Sequence, residues 1–128
     1  MRRTTAVFAG AAVLSAVFAS QAVAAPAEIV APNARAAADV DFRGELLRQK
    51  NVVDSFQVGE GLYCVIVNPN AEINLSNALI LANARIHADS VETIGKPTTA
   101  CGSRRDAITV VTLKNGLPAS SSFTIAVL

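Results

Sequence analysis

Few side chains in this sequence are equipped for chemistry. There is one histidine, His87, and there are two cysteines, Cys64 and Cys101; among the carboxylates, Glu60, Glu72, Asp89, Glu92 and Asp106 lie in the part expected to fold. Any Ser-His or Cys-His nucleophile scheme must run through His87, with Asp89 two residues on as the group that would orient it. No nucleophile motif accompanies the pair, since Gly-x-Ser-x-Gly is absent and neither cysteine stands in a suitable context. The simpler reading of His87 is a strand-end residue on a polar face. Paired carboxylates for glycoside hydrolysis need a cleft with aromatic platforms, and the chain has no Trp and only one Tyr, Tyr63. Calcium ligation lacks an Asp-x-Asp-x-Asp-Gly run to supply dense oxygen donors. These residues assign no catalytic group, no metal and no cofactor, and the expectation is a non-enzymatic protein.

Candidates for binding are basic. Arg104 and Arg105 follow Cys101 closely and, with Ser103 and Asp106, form a small charged turn. Held on a rigid platform, two guanidinium groups suit a carboxylate or phosphate partner; the plainer alternative is a solvated loop that keeps the molecule soluble. Arg85 and His87 join this set because alternation places them with Asn83 on the more polar side of their segment. Asn74-Leu75-Ser76 matches a glycosylation acceptor and is read as coincidence.

The segments that must position these residues begin with one that is removed. Arg2 and Arg3 precede an almost wholly apolar run from Ala6 to Ala19, which closes in small residues through Ala22 and Ala24. This is the pattern of a secretory signal peptide over residues 1–24, cleaved before Ala25. The run is short for a membrane-spanning helix, which needs about 20 apolar residues, so no stable membrane insertion is expected after cleavage. Taking 24 residues from 128 leaves 104, with nine basic and ten acidic side chains. That balance argues against a nucleic-acid partner, which demands a surplus of clustered Lys and Arg.

Outside the cytoplasm Cys64 and Cys101 are expected to pair with each other. The competing readings are a metal site, for which one His and two distant Cys are a poor ligand set, and a redox pair, which is usually spaced Cys-x-x-Cys.

From Ala25 to Ala38 the chain is Ala-rich, with Pro26 and Pro32 and little large apolar content, and reads as a flexible or extended leader. The folded domain is placed at residues 39–128. Val52 to Val58 alternates, with Val52, Phe56 and Val58 on one face and Ser55 and Gln57 on the other. Gly59, Glu60 and Gly61 break it, and Leu62 to Val67 follows as a continuous β-branched run, the pattern of a strand buried on both faces. Together they predict a hairpin. A second hairpin is expected between Ala107–Leu113 and Ser122–Leu128 around Lys114 to Pro118, which carries Asn-Gly. Leu75 to Ala88 fits two periods. Period two puts Ala78, Ile80, Ala82, Ala84 and Ile86 on one face, opposite Leu79, Leu81, Asn83, Arg85 and His87. Period 3.6 gives a stripe of Leu75, Leu79, Ala82 and Ile86, and the β surroundings favour strand. Short strands with Gly, Pro and Asn punctuation predict an all-β antiparallel sandwich, jelly-roll-like.

The tract GEGLYCVIV (Gly59 to Val67), preceded by VVDSFQV and followed by AITVVTLKNGLPASSSFTIAVL, resembles a class of small secreted bacterial β-domains. That class is similar in outline to the β-sandwich heads of phage tail fibres and to complement-type globular heads. The resemblance covers roughly the last 80 residues, rests on hairpin pattern, and implies a fold without implying an activity. This sequence departs from the pattern in its Ala- and Asn-rich middle strand and in Val67, which stands where an aromatic residue is typical.

The expected function is therefore a secreted module for binding or structural association, with a protein or cell-envelope partner. Self-association into a homo-oligomer such as a trimer is also expected, through a flat apolar face formed by Leu79, Leu81, Val111 and Leu113. Two other classes stay open: a protease inhibitor using the loop Thr98 to Asp106, and a small hydrolase dependent on His87.

Overall fold

β-branched and aromatic side chains favour extended backbone, and the stretches richest in them become strands. A computed structural model describes residues 25–128; the expected signal peptide, 1–24, lies outside the described residues. In chain order the strands are β1 (Ala27–Glu28), β2 (Ala36–Val40), β3 (Leu46–Lys50), β4 (Val52–Gly59), β5 (Leu62–Val67), β6 (Ile80–Ala84), β7 (Ser90–Ile94), β8 (Ala107–Lys114), β9 (Leu117–Pro118) and β10 (Phe123–Val127). They form two sheets, one in the order β1-β3-β2-β10-β6 and one in the order β4-β5-β8-β7, with β9 added beside β8. Every pair is antiparallel except β1 with β3. The protein is an all-β sandwich.

Its core lies between the sheets. Ala36, Ala38 and Val40 of β2 and Phe123, Ile125 and Val127 of β10 meet Tyr63, Val65 and Val67 of β5 and Ile108 and Val110 of β8. Each fully buried Val, Ile or Phe contributes roughly 1.5–3 kcal/mol of transfer free energy. Tyr63 ties this core to two loops: its hydroxyl donates to Phe42 O (2.6 Å) and accepts from Ser121 N (3.2 Å), while its ring lies 5.1 Å from that of Phe123. A second, smaller cluster sits outside the four-stranded sheet, where Cys64, Ile66 and Ala107 pack beneath Cys101. The continuous apolar run of β5 is thus buried on both faces. Cys64 and Cys101 are joined as a disulfide, with their Cα atoms 5.6 Å apart.

Four expectations need correction. The stretch read as a leader, 25–38, is mostly exposed as far as Arg35, but its last three residues are not leader, because Ala36 to Val40 is a fully buried strand between β3 and β10. Tyr63, Phe123 and Ile108 supply the bulk of the core, so small residues suffice at 36 and 38. Residues before β2 are pinned as well, through Ile29 N–H to Gln49 O (2.8 Å) and Lys50 Nζ to Ala31 O (2.7 Å).

In β4 a bulge between Val52 and Asp54 reverses the alternation, so Val52 points inward while Phe56 and Val58 face solvent. Ser55 points inward instead, and its hydroxyl is satisfied by Gly44 O at 2.6 Å.

The Asn-Gly turn does make a hairpin, with Asn115 and Gly116 both at positive φ, but its partner is the two-residue β9. Pro118 has no N–H to extend the ladder, and residues 119–122 carry the chain across to the other sheet, where β10 pairs with both β2 and β6.

Finally, the favoured strand reading of Leu75 to Ala88 holds, but only over Ile80–Ala84, so the stretch is not one continuous element. Leu75–Asn77 is a single 3-10 turn, and β6 begins at Ile80 with Ile80 and Ala82 packed against the core.

Candidate functional site

The basic residues singled out from the sequence fall at opposite ends of the sandwich. Arg85 and His87 follow β6, whose last residue, Ala84, pairs with Phe123 at the start of β10. Arg104 and Arg105 precede β8, whose first residue, Ala107, pairs with Ile66 near the end of β5. Tyr63, near the start of β5, touches Phe123, so these are opposite ends.

Arg85 is part of a charged network on the outer face of the five-stranded sheet. Alternation turns Ala36, Ala38 and Val40 inward and therefore Ala37 and Asp39 outward. Arg48 lies directly opposite Asp39 in the register of β2 and β3, and donates from Nε and Nη2 to Asp39 Oδ2 at 3.1 and 2.9 Å. Arg85 reaches across β10 and donates from Nη1 to Asp39 Oδ1 at 2.8 Å. The Asp39 side chain is 6% exposed, against 52% and 41% for its partners, so one nearly buried carboxylate holds two half-exposed cations. The trio carries a net charge of plus one. Guanidinium presents five N–H donors, and Arg48 Nη1 with Arg85 Nε and Nη2 meet no acceptor among the described residues.

In register, Arg48, Asp39, Thr124 and Asn83 form one row across the sheet, and Lys50, Ala37, Ala126 and Leu81 form the next. A shallow depression of about 200 Å³ runs along β6 and β10 over Leu81, Asn83, Thr124 and Ala126. Neither Asp39 nor Arg48 is evident as a site residue from sequence. The available signal was a lone carboxylate inside the apolar run Ala36 to Val40, where an unpaired charge would be costly.

His87 is exposed, and its backbone N–H donates to Ser121 Oγ at 3.2 Å. Asp89, expected to orient its ring, uses Oδ2 to accept the Asn115 N–H (3.1 Å) and so supports the β8–β9 turn. Arg104 is likewise engaged locally, through a bidentate pair with Asp106 at 2.8 Å on both oxygens. Hydrogen bonds from Arg104 hold the Asp106 carboxyl below the ordinary carboxylate range, and the same pairing raises the Arg104 guanidinium. A depressed carboxyl contributes stability above its unfolded-state pKa and loses it as the pH falls through the folded one. In a carboxyl NMR titration Asp106 should have a midpoint below that of an unperturbed Asp, and Arg104→Gln should move it upward; an unmoved midpoint would contradict the pairing.

Residues Thr98 to Asp106 form a closed turn. Thr98 Oγ1 caps Cys101 N, Ser103 N returns to Thr98 O (2.7 Å), and Gly102 and Ser103 adopt left-handed backbone. Strand-addition recognition takes up an extended segment, and this loop does not present one. Arg105, within this loop, lines a cleft with residues of the β5–β6 loop, and Lys96 lines the adjoining trough.

The four residues expected to form one apolar face are divided. Leu79 and Leu81 are on the five-stranded sheet's side, 61% and 51% exposed, whereas Val111 and Leu113 face outward from the other sheet and are half-buried.

No protein family, no curated protein and no solved structure matches this chain.

Proposed function

We propose that this chain is a secreted, non-enzymatic β-sandwich module that binds a partner outside the cell or at the cell surface, through the outer face of its five-stranded sheet. The arginine pair on that face carries the proposal. Asp39 fixes Arg48 and Arg85 in place, on a surface whose neighbouring row is largely small and apolar. Cations ordered before a partner arrives lose less entropy on binding, and their remaining N–H donors suit a carboxylate-bearing partner. Export is supported by the charged, then apolar, N-terminal run and by the disulfide. The outline likeness to tail-fibre and complement-type heads accords with a binding role.

The protein is expected to co-sediment with the envelope fraction of its producer, less strongly as salt rises. Asn83→Glu, which sets a new carboxylate in the same row while leaving the Asp39 pairs intact, should weaken retention about tenfold, equivalent to about 1.4 kcal/mol. Arg85→Gln should do the same. Retention untouched by either variant would overturn the proposed surface. Light scattering separates a foreign partner from self-association, since a monomer at micromolar concentration removes the homo-oligomer. Intact mass of the exported protein should correspond to a chain starting at Ala25 and two hydrogens lighter than its reduced form; full-length reduced protein inside the cell would overturn export.

A further inference from the structure

A second site lies at the end of the sandwich where the β5–β6 loop, residues 68–79, meets the β7–β8 loop, residues 95–106. Leu75 anchors the first loop, being 2% exposed and part of the core. Gly95 anchors the second so closely against Leu75 O that no side chain fits at position 95. The two loops are therefore locked together, and the space between them is part of the folded form.

That space holds an open cavity of about 570 Å³ and a trough of about 280 Å³, both bordered by Leu75 and Ser76. Pockets of roughly 300–1,000 Å³ hold small ligands. The apolar walls are aliphatic: Ile73 and Pro97 in the cavity, Ala78, Ile80 and Ile94 in the trough. The charged groups are both cationic. Arg105 lines the cavity and Lys96 the trough, and neither has an ion-pair partner among the described residues. Asn74 adds a further donor, Nδ2, because its Oδ1 already accepts the Ser76 N–H at 3.2 Å. No carboxylate lines either part. Aliphatic walls with donors and two unpaired cations complement a ligand that has an alkyl body and an anionic end.

We propose that this cleft binds a straight-chain amphiphile with one acidic head group, the alkyl chain lying along Ala78, Ile80 and Ile94 and the head group meeting Arg105 and Lys96. It is independent of the sheet-face binding proposed above, because it uses different residues on a different part of the molecule.

Titration of the disulfide-bonded protein, isolated from its producer and labelled for amide NMR, tests this with four probes below their micelle concentrations: decanoate, decyl phosphate, decanol and decyltrimethylammonium. Both acids should shift the amides of Leu75, Ser76, Lys96 and Arg105, with decanol and the cation binding about tenfold or more weakly. The tighter of the two acids identifies the head group as carboxylate or phosphate. The double variant Lys96→Gln/Arg105→Gln changes only exposed side chains and should lower affinity for the acids about tenfold while leaving decanol unchanged. Ala78→Phe should obstruct the trough and weaken all probes. Equal binding of the four probes, shifts confined to residues outside the cleft, undiminished acid affinity in the double variant, or no binding would each overturn the proposal.

Discussion

Replacing Cys64 and Cys101 together by alanine is expected to lower the unfolding free energy by about 4 kcal/mol, from loop-closure entropy alone. The bridge spans 37 residues and ties β5 to the turn before β8. Without it the unfolded chain regains the conformations that the cross-link forbids. The native state loses packing too, since Cys64 and Cys101 are 0% and 3% exposed and form the small cluster with Ile66 and Ala107. For a domain of this length the melting temperature should fall by about 15–30 °C. In urea the m-value should rise, because the unlinked denatured state exposes more surface. Alanine is the informative replacement, as serine would bury an extra hydroxyl. A loss below about 1 kcal/mol would mean that the bridge merely decorates a sheet stable without it.

The second large effect concerns Asp39, where magnitude depends on which partner is removed. The carboxylate is the buried member, and its two arginines reach solvent. Asp39→Asn leaves cations that can turn outward into water, so the cost is that of weakened charge-assisted hydrogen bonds, about 1.5–3 kcal/mol. Arg48→Ala with Arg85→Ala leaves a nearly buried carboxylate unpaired, and removing the partners of a buried charge costs about 3–5 kcal/mol. Adding Asp39→Ala to that double variant should recover part of the loss, because the uncompensated charge is gone. Urea denaturation of the single, double and triple variants measures this order. If Asp39→Asn proves more damaging than the double arginine variant, the carboxylate's burial is not what governs the network.

Local signals sufficed wherever the physics is local. The Asn115-Gly116 turn is legible because both positions need positive φ, and these two residues tolerate it. β5 is legible because a run of Val, Ile and Tyr has no polar face to offer water. Its buried Tyr63 follows for the same reason, with the hydroxyl satisfied inside. Failures occurred where one residue's setting depends on distant ones. Nothing in Ala36 to Ala38 announces a central strand, since alanine carries little burial signal and its packing depends on bulk supplied by Tyr63 and Phe123. The bulge at Val53 moved Phe56 and Val58 to solvent, as one extra residue inverts a period of two.

The candidate sites show the same division. Arg85 and Arg105 are visible in sequence as cations near turns, but their surroundings are not. Arg85 acquires its role from Asp39, 46 residues away, and Arg105 shares its cleft with the β5–β6 loop. By itself the order of residues determined the β character, the two hairpin turns and a pair of cysteines suited to an oxidising compartment. Tertiary structure alone decided that β10 joins the opposite sheet from β8, that Asp39 gathers two arginines, and that Lys96 and Arg105 line spaces sharing Leu75 and Ser76. The physical reason is that turn geometry and side-chain alternation are properties of neighbours along the chain. Sheet partnership, charge pairing and cavity lining are properties of neighbours in space, which the two-sheet packing selects.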